Sequence, residues 1–128
     1  MTQPFPSKEK LAEHFITAHP PRFMGEEDIA GVIDFEHDVF PDNPLGSPYY
    51  WRAELQYNPR GTELIVASDI VAACLHSRLR PSRREPGRFY GEITSLGIRE
   101  PYRGQGLGQL LLRRGMERLL TANPTGIS

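Results

Sequence analysis

The chain has 128 residues and one cysteine, Cys74, which excludes an internal disulfide framework and leaves no cysteine cluster for zinc. Cys74 is expected to be a small buried hydrophobe. The four histidines, His14, His19, His37 and His76, share no metal-ligand spacing, so no metal is expected. No stretch of about 18 apolar residues is available to span a bilayer. A basic start with an apolar signal region is also missing, so the expectation is a cytoplasmic protein without membrane partners. Hydrophobic residues reach only 38% of the chain, and no internal repeat appears. What remains is one domain, of a size that buries roughly two thirds of its unfolded surface.

Charge is present in both signs but is unevenly placed. Residues 1–64 carry 5 basic and 11 acidic side chains, whereas residues 65–128 carry 10 and 5. A basic half suits an anionic ligand and an acidic half a cationic one. The densest basic cluster, Arg78, Arg80, Arg83, Arg84 and Arg88, has no interleaved aromatics, so it reads as a solvated hairpin and nucleic acid is not an expected partner.

Proline marks the organisation. Residues 1–21 read as an N-terminal appendage with a helical stretch from Lys8 to Thr17, flanked by Pro4, Pro6 and Pro20-Pro21; the domain proper is expected over 22–128. A short strand at Arg22 to Met24 precedes the acidic turn Glu26-Glu27-Asp28. A helix follows, with Ile29, Val32, Ile33, Glu36 and Phe40 on one face. The loop Pro41 to Gly46 interrupts it, and Ser47-Pro48 restarts a helix as N-cap and first residue. Glu63 to Ala67 and Ile70 to Leu79 read as strands around a tight reversal at Ser68-Asp69. After a polar turn come a strand, Phe89 to Ile98, and a helix with Leu107, Leu110, Leu111, Met116, Leu119 and Leu120 in a stripe, stopped by Asn123-Pro124. The order predicts an α/β or α+β fold, a mostly antiparallel sheet flanked by helices.

Between the last strand and the last helix lie glycines 104, 106 and 108. A helix start leaves backbone N–H groups unpaired and favours negative charge, and glycines clear the space for a phosphate. Arg103, Gly106 and Gly108 also fill the Arg-x-x-Gly-x-Gly spacing behind the Leu96-Gly97-Ile98 strand end. This segment resembles the acyl-coenzyme A signature of the GNAT superfamily of N-acetyltransferases, and the resemblance extends loosely from Arg22 to Ser128. It implies acetyl-coenzyme A as acyl donor and a small amine or a protein as acceptor. It further implies that the amides of Arg103, Gly104, Gln105, Gly106, Leu107 and Gly108 bind the pyrophosphate. Gly97 and Ile98 would then pair with the pantetheine arm, and the backbone N–H of Leu96 would polarise the thioester carbonyl. The family's fold would continue with another strand near the point where this sequence stops, so the usual C-terminal strands are expected to be missing. A homo-oligomer that covers the sheet edge at Phe89 to Ile98 is then expected.

An alkylamine with a pKa near 10.4 needs a base to remove its proton. Glu92, eleven residues before Arg103, resembles the glutamate base of the superfamily's histone acetyltransferases, although it could equally be an exposed or arginine-paired strand residue. No residue matches the family's general-acid tyrosine; Tyr49, Tyr50 and Tyr90 read as packing elements. Two other readings compete with this one. A non-catalytic acyl-coenzyme A-binding module keeps the glycine loop without turnover. A dinucleotide site fails, because position 109 is Gln and no acidic residue stands about 20 positions further on.

Overall fold

A computed structural model of the protein describes residues 7–122. The expectations resting on Pro4, Pro6, Asn123-Pro124 and the sequence end lie outside the described residues. Helix α1 (Lys8–Ala18) is followed by β1 (Arg22–Phe23), a 3-10 turn (Glu26–Asp28), α2 (Ile29–Val39) and α3 (Pro48–Tyr57). Strands β2 (Thr62–Ala67), β3 (Ile70–Pro81) and β4 (Phe89–Ile98) come next, then a second 3-10 turn (Glu100–Tyr102) and α4 (Leu107–Ala122). The described strands form one antiparallel sheet in the order β1-β2-β3-β4. This is the mixed fold the element order predicts.

Local chemistry accounts for the boundaries. Ser47 Oγ accepts from the Tyr50 N–H at 3.3 Å and Pro48 occupies the first helical turn, so α3 starts where the sequence places it. Ser7 caps α1 in the same way, its Oγ accepting from the Lys10 N–H at 3.2 Å. The β2–β3 reversal puts Ser68 and Asp69 in the left-handed region, at φ 53° and 63°, as a two-residue hairpin turn requires. Arg22 grips Asp28 with two hydrogen bonds of 2.5 and 2.7 Å, which ties β1 to the turn before α2.

The period-two alternation of the strands feeds two cores. Leu64 and Cys74 face Val32, Phe35 and Trp51 beneath α2 and α3. Ile65, Ala73 and Leu75 face Ala12, Leu107 and Leu111 beneath α1 and α4. Burying each large side chain contributes about 1.5–3 kcal/mol. Helix α4 lies close on the sheet because position 115 is glycine; a Cβ there would stand 2.9 Å from Leu75 Cδ2. Among the described residues, no helix is long and apolar enough to cross a membrane.

One irregularity positions the site. His76 pairs with Ser95 and the next residue, Ser77, with Ile93, so Thr94 is left over as a bulge in β4. The bulge lies opposite the end of α2 and the loop behind it.

Candidate active site

The glycine loop closes a pocket of about 200 Å³ lined by Lys8, Ile98, Tyr102, Arg103, Gly106 and Gly108, with Gly104, Leu107 and Gln109 completing the wall. Its rigidity begins at the strand end. There Arg99, nearly buried, donates to the Val71 carbonyl at 2.7 Å, to Asp38 at 2.9 Å and to Asp34 at 2.8 Å. Arg103 folds back to donate from Nε to the Ile98 carbonyl at 2.8 Å. Gly104 and Gly106 adopt φ of 83° and 80°, which aligns the loop with the helix start. The Leu110 N–H bonds the Gly106 carbonyl at 3.1 Å, so the amides ahead of it have no helical acceptor and α4 presents its positive end here. Amide donors and Arg103 together suit a phosphorylated ligand. Of the residues predicted to hold the cofactor, Ile98, Arg103, Gly104, Gly106, Leu107 and Gly108 line this pocket, whereas Gln105 and Gly97 do not.

Gly97 serves the neighbouring wall: a Cβ there would meet Val39 Cγ1 at 2.8 Å and the Phe40 ring at 2.9 Å, so its absence lets the end of α2 approach β4. A second pocket, of about 220 Å³, opens beside that contact and is lined by Glu36, Phe40, Asn43, Leu45 and the bulge segment Thr94 to Leu96. Leu96 is therefore brought to this pocket rather than to the glycine loop.

In the sequence Glu36 reads only as one position on the α2 helix face. It is only 1% exposed. Its Oε2 accepts from the Leu45 N–H at 3.2 Å, while Oε1 is buried with no hydrogen-bond partner among the described residues. An unmet buried acceptor costs about 1–3 kcal/mol. Burial pushes its carboxyl above the usual carboxylate range, and the Leu45 amide and His37 offset this only in part. The signal in the sequence is a carboxylate on an otherwise apolar helix face.

Glu92 lies on β4 and is not part of this pocket's lining. Its Oε2 forms an ion pair with Arg80 Nε at 2.5 Å, and its Oε1 accepts from the Thr94 hydroxyl at 3.4 Å. Thr94 thus links Glu92 to the pocket.

A polar network crosses the same face. His76, fully buried, has Nδ1 at 3.0 Å from Thr62 Oγ1 and Nε2 at 3.1 Å from the Tyr50 hydroxyl. Arg78 donates to that hydroxyl at 3.1 Å and grips Glu54, whose other oxygen is 3.4 Å from His76. Burial holds the His76 imidazole below the usual histidine value despite the nearby Glu54. Burial and Glu54 also push the Tyr50 phenol up, so it stays protonated at neutral pH. Tyr50 therefore has the bonded hydroxyl expected of a packing tyrosine, whereas Tyr49 is exposed. In the basic cluster, Arg78, Arg80 and Arg88 pair with Glu54, Glu92 and Glu85, and Arg83 and Arg84 are exposed.

A family model described as "Acetyltransferase (GNAT) family" matches residues 3–123. Similar solved structures include an acetyltransferase from Trypanosoma brucei, 18% identical with a TM-score of 0.66, where the match covers 84% of this chain and 79% of that one. The GNAT-like decarboxylase GphF in complex with isobutyryl-CoA is 14% identical with a TM-score of 0.66, the match covering 77% of this chain and 58% of the other. This chain thus spans little more than half the length of the decarboxylase. The NatC complex bound to Gag peptide and CoA is 22% identical with a TM-score of 0.63, over 80% of this chain and 67% of that one. At these identities the solved structures speak for the fold. No curated protein matches the chain.

Proposed function

The chain belongs to the GNAT acetyltransferase family, and from that premise we propose that it transfers the acetyl group of acetyl-coenzyme A to a primary amine. The observation that carries this reading is the pairing of an anion cradle at the start of α4 with a separate small pocket at the β4 bulge, joined by the segment Leu96 to Ile98. The cradle amides from Arg103 to Gly108 hold the pyrophosphate. Gly97 and Ile98 run beside the pantetheine, and the Leu96 N–H polarises the thioester carbonyl. An oxyanion donor of this kind is worth about 3 kcal/mol in other acyl-transfer enzymes.

The amine nitrogen attacks the thioester carbon, a C–N bond forms, the C–S bond breaks, and the departing thiolate takes a proton from water. The proton lost by the amine passes by way of Thr94 and water to Glu92, which Arg80 holds in place. The same reading puts the protein in the cytoplasm and has copies of it pair along the outer edge of β4.

Calorimetry with acetyl-coenzyme A and with NAD, followed by thiol release against a panel of amines and peptides, tests it. Binding of acetyl-coenzyme A alone with amine-dependent thiol release is the expected result. Binding without release from any acceptor would make the protein a non-catalytic acyl-coenzyme A module, and preference for NAD would end the reading.

A further inference from the structure

We infer that Glu36 is the anionic anchor of the acceptor, receiving an amine N–H on Oε1 beside Leu96, so that the acceptors are primary amines that arrive as ammonium ions. This inference rests on the acyl-transfer reading above. Three observations meet at this side chain. It is buried, its Oε1 has no partner among the described residues, and it lines the pocket that also contains Leu96. A buried carboxylate oxygen with an open bonding position calls for a donor, and a cation is the donor that also offsets its charge.

Among the described residues, no such cation is supplied locally. None of the residues lining the pocket is basic. The titratable groups that interact with Glu36 are exposed His37 on its own helix, Cys74 from β3 and Tyr50 from α3. Cys74 and Tyr50 are held in their neutral forms, the thiol and the phenol both pushed up by burial. The positive charge is left for the ligand to bring. Phe40 and Leu45 offer apolar surface to its stem, and Asn43 and Thr94 offer polar groups to the remaining N–H bonds.

Burial also makes Glu36 a reporter, because its raised pKa should fall when an ammonium ion binds beside it. The test uses the full chain with n-butylamine and 2-phenylethylamine as probes. Glu36→Gln keeps an oxygen for the Leu45 N–H but removes the charge. It should raise the amine KM by about 10- to 100-fold, the loss typical of a charge-assisted hydrogen bond, and leave the acetyl-coenzyme A KM unchanged. Glu36→Asp should fall between the two. Unchanged amine KM in Glu36→Gln, with turnover intact, overturns the inference and leaves the acyl-transfer reading standing. Failure of acetyl-coenzyme A to bind the wild type overturns that reading instead. Independently of turnover and of the folding of any variant, the carbon-13 titration of the wild-type Glu36 carboxyl should move to lower pH on adding n-butylammonium. A midpoint that neither amine moves overturns the inference.

Discussion

Gly106 lies against the backbone of Lys8, so closely that a Cβ at Gly106 would stand 2.6 Å from the Lys8 carbonyl oxygen. The first turn of α1 and the anion cradle are therefore one packed unit, reinforced by Ala12 buried against Leu107 and Leu111. Two glycines separate packing from charge. Gly106→Ala meets both that carbonyl and a φ of 80°, and should cost about 1–3 kcal/mol of stability as well as ligand affinity. Gly108 has only Ile98 Cγ1 near its missing Cβ, at 3.9 Å. Gly108→Asp should leave the thermal midpoint unchanged or slightly raised, since an acidic residue suits a helix start, while weakening acetyl-coenzyme A binding about tenfold or more by charge repulsion. Calorimetry and thermal unfolding of both variants check this, and undiminished affinity in Gly108→Asp would remove the phosphate from the start of α4.

Glu92→Gln isolates the proposed proton acceptor. Its shape and its contact with Thr94 can persist, so acetyl-coenzyme A affinity should hold while turnover falls by about 10²- to 10⁴-fold near neutral pH. The deficit should narrow as pH climbs toward about 10.4, where an alkylamine deprotonates unaided. A pH–rate profile that matches the wild type at every point would leave Glu92 as the structural partner of Arg80.

What the sequence makes legible here is what is local in it. The Ser47-Pro48 cap, the Ser68-Asp69 reversal and the Arg103 to Gly108 spacing each depend on neighbours a few residues away, and each stands where the pattern puts it. The groups that are not legible in the sequence have their meaning fixed across the sheet. Glu36 reads as the odd member of an apolar helix face until the fold brings Leu45 and the β4 bulge to it. The bulge itself exists only in the register between β3 and β4, which no single strand encodes. The lining role of Lys8 likewise depends on α1 docking against α4.

The His76 network predicts a change in stability near neutral pH. Burial holds the folded imidazole below its ordinary value, so between the unfolded pKa of about 6.5 and the lower folded one, the unfolded chain takes up a proton that the native state refuses. Stability should therefore be unaffected by this group above about pH 7.5 and should decline as pH falls through 6.5. His76→Gln, which can still reach Thr62 or Tyr50, should be less stable throughout but should lose that decline. Thermal unfolding between about pH 8 and 5 measures it, and equal slopes in the two proteins would contradict a neutral buried His76.

At lower pH a different pair takes over. Glu63, 1% exposed on β2, accepts from Arg114 at 2.8 and 3.1 Å and from Arg118 at 2.8 Å, which anchors α4 to the sheet. Burial alone would raise its pKa, but the arginine hydrogen bonds and charges outweigh burial and hold it below the usual carboxylate range. A depressed carboxylate contributes stability that is fully present above the unfolded value of about 4.3 and is lost as pH falls from there through the folded value. Glu63→Gln removes the charge while leaving both guanidinium groups in place, and should cost about 3 kcal/mol at neutral pH, at the low end for a broken buried pair because Arg114 is half exposed. The gap between wild type and variant should then close as pH drops below about 4, since acid protonates Glu63 and makes the two proteins alike. Thermal midpoints of both proteins from about pH 7 down to 2.5 trace the convergence; a gap that stays constant over that range would mean that the Glu63 charge does not hold α4 to β2.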